Sequence, residues 1–400
     1  MSVPLSLDSS SLVTTSRVRV IVAGICALIL SVGLARFAYT PMLPVMQAEA
    51  GLTAVAGGWL ATFNYVGYIA GALLAASISQ LRYKFVIYRA GLLVALFSTA
   101  AMGMTSDPLL WTLLRLVSGF SSTAGLLLAS GLILNWLIRH GHKPELGLHF
   151  TGMGLGIIVS GAAAGLMAGE LAWNEQWWVL GLLGAIFFIP AWFWLPAPES
   201  GPASQQAQRT AVTAPPARWM WLMIAAYFCA GFGYVISATF IVAILEELPM
   251  LTGKGGWVWV VVGLAALPSS FMWDRINRAL GDFPTLMLAY ALQILSILLP
   301  LLSDAVIWNL LSAVLYGGTF VGIVSLTLTL IGRQFPDNPA KAMARLTISY
   351  GVSQVAAPAI AGYIAALTGS YLGSLVMAMV MMVLGMVLLI MLWRGPQAQL

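Results

Sequence analysis

Twelve apolar runs, each long enough to cross a bilayer, dominate this chain and leave few folds open. They fall at 18–40, 54–79, 84–104, 109–137, 146–169 and 177–195, then at 219–245, 256–273, 283–302, 305–331, 342–368 and 371–393. A helix needs about 20 residues to span the hydrocarbon. No water is available there, so every backbone N–H and C=O must be satisfied within the protein, which a helix achieves by itself. Only 8% of the 400 residues are charged and 60% are hydrophobic, whereas a soluble domain carries about 25% charged residues. The expectation is an all-α membrane protein with twelve transmembrane helices.

The basic residues set the topology. Arg17, Arg19, Arg82, Lys84, Arg89, Arg139, Lys143, Arg209, Arg218, Arg275, Arg278, Arg333, Lys341, Arg345 and Arg394 fall on one side of alternating loops, and Lys254 alone falls on the other. Cytoplasmic loops hold the excess of Lys and Arg. Both termini and the central loop are therefore expected in the cytoplasm of a bacterial inner membrane. Residues 1–16 read as a retained polar tail ahead of the first span, because no small-residue cleavage site follows a short apolar core. The net charge of +5 is spent on this asymmetry and does not point to nucleic acid. Cys26 and Cys229 lie inside apolar runs and carry no disulfide expectation.

The chain also matches itself at a shift of about 198 residues. Gly33 pairs with Gly231, Trp59 with Trp257, Lys143 with Lys341 and Gly165 with Gly362, and Ser106-Asp107 with Trp111 reappears as Ser303-Asp304 with Trp308. A constant offset over several helices is the mark of a duplication. The expected organisation is a six-helix half over 1–195, a Pro/Ala/Gln/Ser-rich linker over 196–218 and a second six-helix half over 219–400, two pseudo-symmetric bundles.

Arg115-(x3)-Gly119 in the fourth run, Gly71 followed by Arg82-Tyr83-Lys84, and Trp273-Asp274-Arg275-(x2)-Arg278 resemble motifs of the major facilitator superfamily. The loop after Gly71 lacks that family's usual acidic residue and glycines. Arg36-Phe37-Ala38-Tyr39-Thr40-Pro41-Met42-Leu43-Pro44, with Gly58-Trp59-Leu60-Ala61 and Asn64-Tyr65-x-Gly67-Tyr68, resembles the poorly characterised bacterial branch typified by YbfB and YjiJ. The resemblance implies secondary transport of a small solute by alternating access. It also implies conformational roles for Gly71, Arg82, Gly119, Asp274 and Arg275, and a cavity lined by the first and fourth spans.

Two cations sit inside runs that otherwise read as membrane-spanning, Arg36 and Arg115. A charge at a helix centre costs about 2.5–3.5 kcal/mol on insertion scales, so such residues face a protein interior or a wet cavity. At 1.5 Å per residue Arg36 lies roughly 25 Å past Arg19, and Arg115 roughly 12 Å past Asp107 on a span running the other way. The two can share a depth. The repeat pairs Arg36 with Tyr234 and Arg115 with Ser312, so both charges belong to the first half. No Asp or Glu lies well inside a run; Glu49, Glu170, Glu246 and Glu247 stand at helix ends. Paired guanidiniums without a counter-ion suit an anionic ligand, because the planar fork grips a carboxylate with two bonds. The plainer alternatives are that Arg115 props a helix interface and that Arg36 pairs with Glu170 or Glu246.

The other candidate lining residues are Tyr39, at i+3 from Arg36; Ser118 and Ser122, following Arg115; Asn64 and Tyr65; Tyr227 and Tyr234; and Tyr350 and Gln354. Hydroxyls and amides in spans often serve as interhelical glue instead. Gly152, Gly154, Gly156, Gly161 and Gly165 read as a packing face, since no strand precedes them as a nucleotide loop would require. They stand where drug/proton exchangers of the family carry an antiporter motif, whose Gly-Pro pair is missing here. Pro358 is expected to bend the eleventh span. His140, His142 and His149 read as neutral loop histidines rather than a metal site. No HExxH, cysteine cluster or nucleophile motif is present, so no enzyme, cofactor or metal is expected. The expected partners are an anionic small molecule, a coupling proton or counter-anion, and the lipid bilayer, with the protein a monomer. Rival readings are efflux of hydrophobic or cationic compounds, served by the aromatic content, and a non-transporting sensor on a transporter scaffold.

Overall fold

The computed structural model describes residues 9–143, 146–198, 215–335 and 339–394. Among them the secondary structure is helical, and twelve helices are long and apolar enough to cross a membrane. They are α1 (Arg17–Glu49), α2 (Ala54–Ser77), α3 (Leu81–Met104), α4 (Pro108–Arg139), α5 (Gly147–Met167), α6 (Trp173–Phe193), α7 (Ala217–Glu246), α8 (Gly255–Leu280), α9 (Asp282–Leu302), α10 (Val306–Gln334), α11 (Lys341–Thr368) and α12 (Leu372–Arg394). Most of the expected linker, 199–214, lies outside the described residues.

Helix starts follow local chemistry. Asp107 Oδ1 accepts from the Leu109 and Leu110 amides with Pro108 at the first helical position, which satisfies orphan donors where a missing N–H does no harm. Thr53 accepts from the Ala56 amide. Glu49 Oε2 accepts from the Trp173 amide at the start of α6, and Glu246 Oε1 from the Gly255 amide at the start of α8. A carboxylate at a helix N-terminus meets the positive end of the dipole. These two acids are therefore committed to helix ends, and the expected pairing of Arg36 with Glu246 is replaced by a cap. Tight turns at Gly51 (φ +69°) and Gly253 (φ +72°) join α1 to α2 and α7 to α8, in backbone space that a side chain would strain.

The first helix is longer than its apolar run, continuing past residue 40 through Pro41 and Pro44 to Glu49. Ile29–Phe37 is π-helical, as is Ala124–Ala129 in α4. A π turn places one extra residue in the ladder and rotates everything after it by about 100° relative to an unbroken α-helix.

Packing repeats along the chain. α2 lies against α4 as α8 lies against α10, α1 against α5 as α7 against α11, and α2 against α11 as α8 against α5. Small residues allow the last pair. A Cβ on Gly58 would stand 2.3 Å from the Pro358 carbonyl and 3.2 Å from Gly362 Cα; one on Gly256 would stand 2.2 Å from the Gly165 amide. Gly33 and Gly156 meet backbone to backbone, the Cβ position of Gly33 lying 2.4 Å from Gly156 Cα. The glycines of α5 are thus packing surfaces. Pro358 lies inside a continuous α11.

Hydrogen bonds between the first six helices and the last six include Thr40 Oγ1 to the Ala238 carbonyl (2.5 Å), Gln47 Nε2 to the Tyr371 hydroxyl (2.8 Å), Trp59 Nε1 to the Tyr363 hydroxyl (3.4 Å) and Thr62 Oγ1 to the Val355 carbonyl (2.8 Å). Each lies between the middle of the bundle and the face carrying Lys254. These bonds join the two halves on that side. On the opposite, basic face Arg333 pairs with Asp282 (2.9 Å), which also accepts from Asn277. Arg82, Asp274 and Arg275 stand exposed there.

Gly119 gives a direct test of this packing. A Cβ there would sit 1.8 Å from the Asn64 carbonyl, whereas a Cβ on Gly131 meets nothing within 4 Å. Gly119→Ala is expected to cost about 1–3 kcal/mol through overpacking and Gly131→Ala to be neutral or stabilising through helix propensity. Thermal unfolding in detergent compares the two, and equal melting would refute the α2–α4 contact.

Candidate functional site

The centre of the bundle is built around the end of the π-helical segment of α1. A widened turn leaves carbonyls poorly matched to their own helix, and an unsatisfied buried carbonyl costs about 1–3 kcal/mol. Arg115, on α4, reaches across and supplies the donors: Nη1 to the Ala35 carbonyl (3.1 Å) and Nη2 to the Arg36 carbonyl (3.3 Å). Its guanidinium also lies over the Tyr39 ring, 4.4 Å from the centroid. Asn64 on α2 donates to the Arg115 carbonyl and the Ser118 hydroxyl (3.0 and 2.8 Å). Three helices are tied at one point.

Arg36 is held differently. Its side chain is 94% buried, and its guanidinium packs against Tyr65 (4.6 Å) and Tyr68 (4.5 Å). Cation–π contacts of this kind are worth about 2 kcal/mol or more once desolvated. The Tyr65 hydroxyl lies close to both Arg36 and Tyr234, so it touches both halves of the chain. Arg36 Nε has no hydrogen-bond partner. Among the described residues no carboxylate forms an ion pair with Arg36 or Arg115. Arg115 adds to the positive field at Arg36, so two cations share one buried centre with rings and carbonyls as their company.

The second half of the chain supplies a stack of rings. Tyr227 lies on Tyr350 (4.5 Å between centroids), Tyr350 near Tyr234 (5.8 Å), and Tyr234 on Phe320 (5.6 Å), with Tyr316 against both Tyr234 and Phe320. Offset stacks are favoured by the ring quadrupole. Beside the arginines, between α1, α2, α4 and α7, a cavity of about 10 Å³ remains, lined by Arg36, Tyr39, Thr40, Asn64, Tyr65, Arg115 and Thr239 among others. That is room for about one water. The centre is closed on itself. A larger cavity of about 420 Å³ lies nearer the basic face between α2, α3 and α4, lined mainly by Ala and Leu with Lys84 and Asn135; none of the candidate binding residues borders it.

Several expected site residues are spent elsewhere. Tyr39 lines the same small cavity as Arg36, but its ring lies against the Arg115 guanidinium and its hydroxyl donates to the Gly57 carbonyl (2.8 Å). Ser118 and Ser122 donate to carbonyls of their own helix, Arg115 and Gly119. Asn64 joins helices as described. Gly71 abuts the Phe120 carbonyl, its Cβ position 2.7 Å away, and is a packing contact between α2 and α4. Gln354 is buried but makes no contact with the arginines. Ser312 donates to the Ser296 carbonyl. His149 is no loop residue; it is buried in the first turn of α5. Arg36, Tyr65, Arg115, Tyr234 and Tyr350 do meet at the centre, with Tyr227 at the far end of the stack.

Tyr68, Thr40, Tyr316 and Phe320 were not among the expected residues. Tyr68 follows Tyr65 by three and Phe320 follows Tyr316 by four, spacings that place each pair on one helix face and that make both readable in retrospect.

A family model described as the uncharacterised MFS-type transporter YbfB matches residues 28–390. Two curated relatives, the putative uncharacterized transporter YgaY of Escherichia coli K12 and the uncharacterized transporter YgaY of Escherichia coli O157:H7, are each 27% identical over 165 residues. The chain spans 40% of the length of each relative, and the match takes in 40% of this chain. Two structures of the nucleoside transporter NupG, one of a mutant, superpose with TM-scores of 0.75 and 0.72 over 95% of this chain, covering 100% and 99% of theirs at 13% identity. At that identity the likeness is one of fold.

The two arginines are expected to respond differently to removal. Arg115→Leu strands two carbonyls and should lower stability by about 1–3 kcal/mol for each, and Arg115→Lys should not restore it because a single ammonium does not span both. Arg36→Leu breaks no hydrogen bond to the backbone and deletes a buried charge, so its melting temperature should equal or exceed that of the unchanged protein. A lower melting temperature for Arg36→Leu than for Arg115→Leu would reverse these assignments.

Proposed function

We propose, for a chain that belongs to the family of the uncharacterised MFS-type transporter YbfB, that it carries a small organic anion, a carboxylate, across the bacterial cytoplasmic membrane by alternating access. That it is a multi-pass transporter of the major facilitator type and not an enzyme follows from the family and the fold; the cargo and the cycle are our reading. The observation that carries the reading is Arg36: a buried cation with no carboxylate beside it, its Nε unpartnered, leaning on ring faces. The NupG neighbours are nucleoside transporters; two uncompensated guanidiniums favour an anionic cargo here.

In this reading Arg36 grips the carboxylate with its fork and exchanges the faces of Tyr65 and Tyr68 for two charge-assisted bonds. Arg115 positions α1 by holding its carbonyls, and acts on the anion through its field. Tyr65 and Tyr234 close over the cargo from the two halves. The halves, residues 1–195 and 219–400, move about the centre. Opening toward the Lys254 face breaks the bonds from Thr40, Gln47, Trp59 and Thr62, and opening toward the basic face keeps them. The positive-inside excess makes that basic face cytoplasmic.

Thermal unfolding of the purified protein with lactate, succinate, benzoate and cationic dyes tests the cargo class. A ligand that binds only the folded state adds about 2.7 kcal/mol at a hundredfold excess over Kd. A carboxylate is expected to raise the melting temperature of the unchanged protein and to have no effect on Arg36→Ala. Stabilisation by cationic dyes that persists in Arg36→Ala would replace this reading with efflux of cationic compounds.

A further inference from the structure

The transport reading leaves one buried polar group unused. His149 sits in the first turn of α5 with 1% of its surface exposed, wedged against α1 and α4. Its neighbours are Gly24 on α1, Ile133 and Ser130 on α4, the Gly125 carbonyl of the π-helical segment, and Phe150. Gly24 makes the space: a Cβ there would stand 2.4 Å from His149 Nδ1.

Donor counting assigns the tautomer. The Ser130 hydroxyl has one proton, and it goes to the Leu126 carbonyl (2.7 Å). The 2.9 Å contact between Ser130 Oγ and His149 Nε2 therefore has the ring nitrogen as donor, with the Gly125 carbonyl a second acceptor alongside. A neutral imidazole protonated at Nε2 keeps a lone pair at Nδ1. That nitrogen is buried and without a partner. It is a vacant proton acceptor inside a transporter whose spans hold no Asp or Glu away from their ends.

We propose that His149 Nδ1 is the proton-binding site that couples proton occupancy to the packing of α1, α4 and α5, and through α1 to Arg36. The step is addition of a solvent proton to Nδ1, giving an imidazolium with both nitrogens donating. In the arrangement seen here the new N–H points at Gly24 and has no acceptor. The proton therefore favours any arrangement in which α1 moves away from α5 and water or a carbonyl reaches Nδ1. The groups that meet the ring, Gly24, Ser130, the Gly125 carbonyl and Phe150, are uncharged. On α1, Arg17 lies roughly 10 Å along the helix from Gly24, with Arg19 between them, and Cys26 faces Tyr88 on α3. On α4, Arg139 lies roughly 13 Å from Ser130 and Arg115 roughly 15 Å from Gly125. α5 carries no other titratable side chain. The π-helical segment of α4 beside the ring is a weak point in that helix, of the kind found at functional sites.

This inference rests on the two-arrangement cycle of the transport reading. Its test uses the full chain in nanodiscs with spin labels at Ala48 and Leu372 on the Lys254 face, and at Gln80 and Leu280 on the basic face, the native cysteines being buried. Acidification from pH 8 to pH 5 is expected to shift the population of both distances along a one-proton curve. His149→Gln should abolish that shift, and His140→Gln with His142→Gln should keep it. Nitrogen NMR of histidine-labelled unchanged protein should find one residue as the Nε2–H tautomer, protonating at the midpoint of the distance change. Distances that ignore pH, a His149→Gln protein that still titrates, or an Nδ1–H tautomer would each overturn the proposal. The same labels with a mixture of lactate, succinate and benzoate address the underlying reading: distances that move with the carboxylates but not with pH sink the proton site alone.

Discussion

The fork of Arg115 on the carbonyls of Ala35 and Arg36 is the contact on which the centre of this protein depends. A π-helical turn in a membrane helix creates backbone acceptors that lipid cannot satisfy. A guanidinium on the neighbouring span satisfies two at once, which no other side chain does in that geometry. Because α1 is held there, Arg36 is delivered to the middle of the bundle and Tyr39 is turned toward Arg115. Asn64 then fixes Arg115's own carbonyl from α2, and Gly119 lets the α2 and α4 backbones come close enough for that bond to form.

The consequence is a division of labour between two chemically identical groups. Arg115 donates to two backbone carbonyls of α1 and can hardly release them without leaving them unsatisfied, although its Nε, like that of Arg36, has no hydrogen-bond partner. Arg36 is stabilised by ring faces, which are weaker and exchangeable partners. The interface between the halves includes single hydrogen bonds toward the Lys254 face, close glycine contacts and the edge-to-face pair of Phe37 and Trp259. Of the two carboxylates considered as partners for Arg36, Glu246 is engaged at a helix N-terminus, and among the described residues Glu170 forms no ion pair with it.

How much of this was readable follows from the range of each interaction. The twelve spans, the basic face and the self-match at 198 residues are properties of composition and order, and the packing pairs α2–α11 and α8–α5 place Gly58, Gly362, Gly256 and Gly165 where the repeat pairs them. The convergence of Arg36 and Arg115 was legible from helix rise and alternating direction. Tyr39 stands at the small cavity with Arg36, but the order of residues does not say that its ring will be taken by Arg115. Asn64 lines the central cavity while also joining helices; Ser118 and Ser122 were read as cavity groups because a sequence does not say which polar group will be claimed by a nearby carbonyl. His149 was read as a loop residue because it lies two residues from a helix start, while its burial is decided by helices far away in the chain.

The sequence by itself determined that this protein crosses a membrane twelve times, that one face is basic, and that two charges inside spans must be sheltered, since each of these is fixed by the cost of polar groups in hydrocarbon. Only the tertiary structure decided which charge is shelter and which is sheltered. That choice depends on the angle through which the π turn in α1 rotates its carbonyls toward α4, and rotation about a helix axis is settled by packing between helices rather than by the order of residues within one.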